Sequence, residues 1–284
     1  MPEKVDKKMQ LCALCGPDVG EEMILRDSHF LPKAIYRYLN QSKAEDTKLL
    51  IRTRDENNIF SLGRQITQEL LCDTCEKLMS AEGEDYYART MLKIDIKNEL
   101  PPFAFRVLVE ALMSQWNHMA PGVDYHPNVI LSIGSNLLRV IESRRLYHFA
   151  IGMFWKATFE NWTHYSAMPL ETPIIENMRK FLRGGDFVKD YIVRVVPLFW
   201  NEKYGVTFPA LLRGKPFFSI NQFDFYLERN ERQFSAAIST NAVPLLYSVD
   251  SLRSKLTFQG VSETYKNAKQ TKSAKDTRLS WLAD

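Results

Sequence analysis

Gln65-Ile66-Thr67-Gln68-Glu69-Leu70-Leu71-Cys72-Asp73-Thr74-Cys75-Glu76 is the stretch on which the reading of the N-terminal third turns. A partly apolar segment runs, as a strand or turn, into a Cys-x-x-Cys knuckle. Residues 73 to about 92 then carry a helical pattern with Gly83 as its weak point. A second knuckle of the same spacing, Cys12-Ala13-Leu14-Cys15, lies near the start, and the two pairs use all four cysteines of the chain. Two residues between cysteines let one tight turn present both thiolates to one ion, and two such turns complete a tetrahedron. The spacing predicts a zinc site on Cys12, Cys15, Cys72 and Cys75, clipping a loop long enough to carry structure of its own. Four thiolates leave no open position, so the zinc is expected to be structural. Core cysteines and a thioredoxin-type redox pair are the competing readings, but neither knuckle leads into an evident βαβ unit.

Inside the clip, Met23-Ile24-Leu25 predicts a short strand leading to Asp27-Ser28-His29. Pro32 opens a helix whose apolar face is Ile35, Tyr36, Tyr38 and Leu39, and Leu49-Leu50-Ile51 is strand-like. His29 thus follows a strand and precedes a helix, while Glu76 starts the helix after the second knuckle. A loop histidine can then face a helix-borne acid across a groove. Glu76, Ser80 and Glu84 recur at a spacing that lines one helical stripe. The residues alone leave alternatives open. His29 can be a structural hydrogen-bonding residue, a surface residue or a replacement zinc ligand. Glu76 can be a solvated acid favoured by the helix dipole. Lys33 and Arg37 can contact phosphates or form a solvated face.

Beyond this region Pro101-Pro102 marks a boundary. Residues 103–116 form an amphipathic helix through Phe105, Leu108, Leu112 and Trp116, and residues 131–141 are expected to be helical despite Gly134. Residues 146–162 are aromatic nearly all round, as expected of a helix in the middle of a core. Phe149, Phe154, Trp155, Phe159 and Trp162 therefore read as core rather than as a platform for stacked bases. Thr172-Pro173 and Gly184-Gly185 bracket a further helix. Residues 191–199, 206–212 and 217–225 are β-rich and predict a three-stranded antiparallel meander, with a turn at 201–205. Residues 235–248 are ambiguous. His118, His126, His148 and His164 show no metal-ligand spacing. The expected fold is α+β. Residues 1–98 form a zinc-braced ββα-type, treble-clef-like module. Residues 99–250 form a mainly helical domain with a small antiparallel sheet near 190–228, and 251–284 form a polar, basic tail.

A chain of 284 residues with 45% hydrophobic content can bury substantial cores. It has no uninterrupted apolar run of about 18 residues, so no membrane span or membrane partner is expected. The N-terminal MPEKVDKKMQ leads into a cysteine knuckle rather than a secretory apolar core, and an intracellular, cytoplasmic setting follows as the expectation. Such a setting favours metal over disulfides for paired cysteines. Net charge is +3, with acidic residues in excess over 1–100 and basic ones over the remainder. A nucleic-acid partner would then be met by local patches or by the rest of the chain. Gly-rich phosphate loops, Gly-x-Ser-x-Gly elbows and His-Glu-x-x-His motifs are absent from the sequence.

Leu11-Cys12-Ala13-Leu14-Cys15, Ser28-His29-Phe30-Leu31-Pro32-Lys33 and Leu71-Cys72-Asp73-Thr74-Cys75-Glu76-Lys77 together resemble the zinc-bearing HNH (His-Me finger) endonucleases. The likeness is to phage junction-resolving endonucleases and bacterial HNH-like proteins, and it covers roughly residues 10–95. It implies that His29 acts as general base on a water, with Mg²⁺ or Mn²⁺ held by the residue before the histidine and by Glu76. The substrate would be nucleic acid, DNA in preference. Two positions depart from the pattern. Ser28 stands where Asp or His is usual, with Asp27 adjacent, and Glu76 replaces Asn or His. The departures leave a second expectation, a non-catalytic zinc module that binds nucleic acid or a partner protein. An HNH-like module joined to an unfamiliar domain also fits, by analogy of context, an effector in phage defence.

Overall fold

The computed structural model describes residues 9–17, 19–41, 49–52, 59–62, 65–92, 102–123, 130–163, 165–198, 206–212, 214–220, 222–230 and 242–249. The expected tail at 251–284, the turn at 201–205, His126 and His164 lie outside the described residues. The fold is α+β.

The N-terminal part is built on a three-stranded antiparallel sheet in the order β1 (Met9–Leu11), β2 (Glu22–His29), β5 (Thr67–Cys72). Between β2 and β5 come α1 (Lys33–Gln41) and a hairpin of β3 (Leu49–Arg52) and β4 (Ile59–Leu62). β5 passes directly into α2 (Asp73–Met79), a π-helical turn at Ser80–Glu84, and α3 (Asp85–Thr90). The expected helix from 73 to 92 is therefore present, with its irregularity around Gly83. A Cβ on Gly83 would stand 2.7 Å from the backbone nitrogen of Phe149, so the absent side chain lets this turn press against the neighbouring helix.

That neighbour is α5 (Ser143–Lys156), and it lies buried on nearly every side, as its all-round aromatic pattern predicts. It ends at Lys156, short of the expected 162, although Trp162 is still buried. α4 (Phe103–Met119) buries Phe105, Leu108, Leu112 and Trp116, the expected stripe. α6 (Thr172–Leu182) starts and stops where the Thr-Pro and Gly-Gly signals put it.

The second sheet corrects two expectations. It has six strands, not three, in the order β6 (Leu131–Gly134), β11 (Leu245–Val249), β7 (Tyr191–Pro197), β10 (Phe223–Arg229), β9 (Lys215–Ile220), β8 (Val206–Leu212). β11 runs parallel to β7, and the other pairs are antiparallel. The pairing of Phe223 with Ile220 folds the expected strand at 217–225 back on itself within two residues. Residues 131–134 are a strand rather than the start of a helix, followed by a short 3₁₀ turn at Ser135–Leu137. Their partner, Val249 to Leu246, is distant in sequence and supplies the hydrogen bonds that local pattern could not reveal.

One cluster of buried side chains runs from Cys12 to Val249. Phe149 and Phe154 of α5 meet Phe225 and Phe218 of the larger sheet at ring-centroid distances of 6.0 and 5.0 Å. α6 meets the first knuckle through arginines. Arg179 donates to the carbonyls of Leu14 (3.4 Å) and Cys15 (2.9 Å), and Arg183 to that of Cys15 (3.0 Å). Gly16, at φ +69°, leaves the space that the Arg179 guanidinium fills.

Candidate functional site

The site is assembled where β2, β5 and α2 meet. β5 carries Cys72 at its end and α2 carries Cys75 in its first turn, while the turn after β1 presents Cys12 and Cys15. The Ala13 amide donates to the Leu70 carbonyl (3.1 Å), which fixes the first knuckle against β5. All four sulfurs lie within 4.8 Å of one another. Cys15 Sγ is 3.5 Å from Cys75 Sγ and 3.9 Å from Cys72 Sγ. Zinc–sulfur bonds of about 2.3 Å in a tetrahedron put sulfurs about 3.8 Å apart. The Cys72 amide donates to Cys12 Sγ at 3.3 Å, as suits a thiolate. The cluster could hold a metal ion such as zinc. Without a cation the charges are uneven. The Cys75 hydrogen bond holds Cys12 down at about 4, burial pushes Cys15 up to about 11, and Cys75 rises because it donates to Cys12.

Next to this cage, the register between β2 and β5 slips between Arg26 and Asp27. Arg26 faces Leu71, Asp27 faces Glu69, and Leu70 has no opposite residue. Such a bulge re-aims the side chains that follow. Leu25 is buried, Arg26 and Asp27 are exposed, and Ser28 is fully buried. Ser28 Oγ accepts the Leu71 amide (3.2 Å) and donates a short hydrogen bond to the Glu76 carboxylate. Two residues singled out from distant parts of the sequence are therefore in contact. Burial raises the Glu76 carboxyl. Lys156 and the Ser28 hydrogen bond pull it down, Glu84 pushes it up, and Lys33 pulls it down.

His29 is the last residue of β2, not part of a following loop, and is half-buried. It is outside the four-sulfur cluster. Burial lowers its pKa, and the Lys33 charge adds to this. A hydrogen bond with Gln65 opposes both, Lys156 lowers it further, and Glu84 raises it. The imidazole thus favours its neutral form, the form that accepts a proton. Phe30, the next residue, is locked in a cage of rings from Trp162 (4.9 Å), Tyr165 (4.7 Å) and Phe208 (5.1 Å).

Lys33 opens α1 with its side chain exposed, and Arg37 is exposed one turn later on the same face. The charge of Lys33 reaches both His29 and Glu76. Asp27 is exposed. Ser80, which opens the π-helical turn, turns its hydroxyl to Asp85 (3.0 Å), and the charge of Glu84 reaches Glu76. Glu84 pairs with Lys156 at 2.6 Å, and the same ammonium donates to the His29 carbonyl at 3.0 Å. Lys156, only 2% exposed, is the residue that reading the N-terminal third misses. Its signal was a lone positive charge inside the buried aromatic run of α5. Among the described residues no helix is long and apolar enough to cross a membrane. Compared with protein-family models, with curated proteins and with solved structures, the chain gives no match.

Proposed function

We propose that the chain is a metal-dependent endonuclease of HNH type acting on nucleic acid, with DNA as the expected substrate. The observation that carries this reading is the meeting of Ser28 and Glu76 beside His29, from two antiparallel strands and the helix that follows them. Zinc on Cys12, Cys15, Cys72 and Cys75 is structural and holds the knuckles that fix β5 and α2. His29, biased to the neutral form, takes a proton from the attacking water. Ser28 orients the Glu76 carboxylate, leaving an oxygen for Mg²⁺ or Mn²⁺, with exposed Asp27 as a further donor. Such ions accept one or two carboxylates and keep much of their water. A divalent ion there supplies stabilisation of charge on the scissile phosphate. Lys33 and Arg37 lie on the exposed face of α1, where they can meet backbone phosphates.

The test is nicking of supercoiled plasmid and cleavage of junction DNA by the full chain with Mg²⁺, Mn²⁺ or Ni²⁺. Cleavage lost in His29→Ala, with zinc content unchanged, is the expected result. Absence of cleavage with every metal, or full activity in His29→Ala, overturns it.

A second reading is a non-catalytic zinc module that binds nucleic acid or a partner protein. What favours it is that the polar groups satisfy one another: Ser28 donates to Glu76, and Lys156 neutralises Glu84. It predicts one bound zinc, no second metal beside His29, and no cleavage. Salt-sensitive DNA or RNA binding would mark a nucleic-acid adaptor.

A further inference from the structure

Lys156 comes from the last turn of α5, far in sequence from the residues around it, and its ammonium is withdrawn from solvent. Burying a lysine charge is costly unless the charge is paired and hydrogen-bonded. Here it is both. Nζ lies 2.6 Å from Glu84 Oε1 and 3.0 Å from the His29 carbonyl oxygen. Its field also acts on Glu76, next to Ser28. Its own backbone is held in turn, because Trp162 Nε1 donates to the Lys156 carbonyl at 2.9 Å. Trp162 also packs edge-on against Phe30, the residue after His29. The end of β2 is therefore gripped twice from beyond residue 100, by a hydrogen bond to the His29 carbonyl and by rings around Phe30. Glu84 sits on the π-helical turn, and Lys156 links that turn to the strand carrying His29.

We infer that Lys156 is a positioning residue for the reaction of the His29 site, tying the end of β2 to the acid-bearing helical turn so that His29 and Glu76 face one substrate phosphate. This rests on the endonuclease reading above. Lys156 is too buried to touch substrate, so it acts through His29 and the carboxylates. It also makes the helical part of the chain a component of the site rather than an appendage to it. Misplacing a reacting group by about 1 Å can cost about a hundredfold in rate.

The test uses full-length chains carrying Lys156→Met, Lys156→Arg, and the charge-neutral double variant Lys156→Met/Glu84→Gln, which leaves no unpaired buried carboxylate. Each is checked for zinc content and Tm, then assayed for cleavage of a duplex oligonucleotide with Mn²⁺ beside wild type and His29→Ala. The expected result is a kcat lower by about a hundredfold in the folded double variant, with KM within about threefold and partial recovery in Lys156→Arg. A purely structural role would instead lower the active fraction in step with Tm and leave kcat per folded molecule unchanged. That outcome, with wild type active and His29→Ala inactive, overturns the role of Lys156 alone. An inactive wild type, or an active His29→Ala, overturns the endonuclease reading and this inference with it.

Discussion

Replacing Gly83 by alanine sets two effects of opposite sign against each other. Glycine inside a helix costs about 1 kcal/mol relative to alanine, so the sequence alone predicts that Gly83→Ala stabilises. The structure reverses the sign. A Cβ at Gly83 would stand 2.7 Å from the Phe149 nitrogen, 2.9 Å from the Phe149 Cα and 2.9 Å from His148 Nδ1. Two of these atoms are backbone in the centre of α5, so no flexible side chain can step aside. Phe149 is itself fixed by stacking on Tyr87 at 3.9 Å. Overpacking against such a wall costs about 3 kcal/mol, at the upper end of the usual range. Less the propensity gain, about 2 kcal/mol of destabilisation remains. Urea unfolding followed by tryptophan fluorescence would measure it, with a Tm lower by about 4 °C as an independent check. Gly83→Ala as stable as wild type, or more so, would refute the claim that glycine is required for the close approach of the π-helical turn to α5.

The cysteine cage and the buried histidine give two further expectations. Purified chain should carry about one zinc per molecule. Cys72→Ser should lose most of it and unfold at lower temperature, measured by elemental analysis and thermal melts; a variant that keeps both zinc and Tm would count against the cage. His148 has its pKa lowered first by burial, with Nε2 at 3.3 Å from the Leu182 carbonyl and no hydrogen-bond partner for Nδ1 among the described residues. The unfolded chain binds a proton below pH 6.5 that the folded chain refuses, so stability should fall on acidification from 6.5 down to the lowered native value. The slope from this group is at most about 1.4 kcal/mol per pH unit. His148→Gln should show a smaller loss between pH 7 and 5.5 in urea unfolding; an identical loss would refute the assignment.

What the sequence made legible was local or chemical. The cysteine pairs announce themselves because two-residue spacing is the geometry a single ion needs, and the four sulfurs do converge. α5 and α6 were readable from an all-round aromatic pattern and from Pro and Gly punctuation. The missed parts depend on distant partners. Residues 131–134, Leu-Ser-Ile-Gly, are too short a stretch for periodicity to distinguish helix from strand, and their pairing partners are residues 246–249. The larger sheet grew from three strands to six because β6 and β11 join it only across long stretches of chain, and because 217–225 conceals a reversal. The part played by Lys156 is likewise set by distant partners, Glu84 and the His29 carbonyl, which no local pattern around residue 156 names.

The bulge at Arg26/Asp27 ties the two departures from the HNH-like pattern together. Strict alternation from Leu25 would turn Asp27 inward together with Leu25. In the structure Ser28 is buried and Asp27 exposed, opposite the bulge whose extra residue, Leu70, lies on β5. An inward aspartate would put a carboxylate against the half-buried Glu76, whose carboxyl is already raised by burial, and the two like charges would repel. A hydroxyl there donates to Glu76 while accepting the Leu71 amide, so both hydrogen-bonding demands of the buried position are met. On the proposed reading, serine on the strand and glutamate on the helix are then one coupled arrangement. On the proposed endonuclease reading the carboxylate stands on the helix rather than on the strand, and a divalent cation would still meet a negative charge. On this argument Ser28 and Glu76 are coupled, and neither departure taken singly weighs against the endonuclease reading.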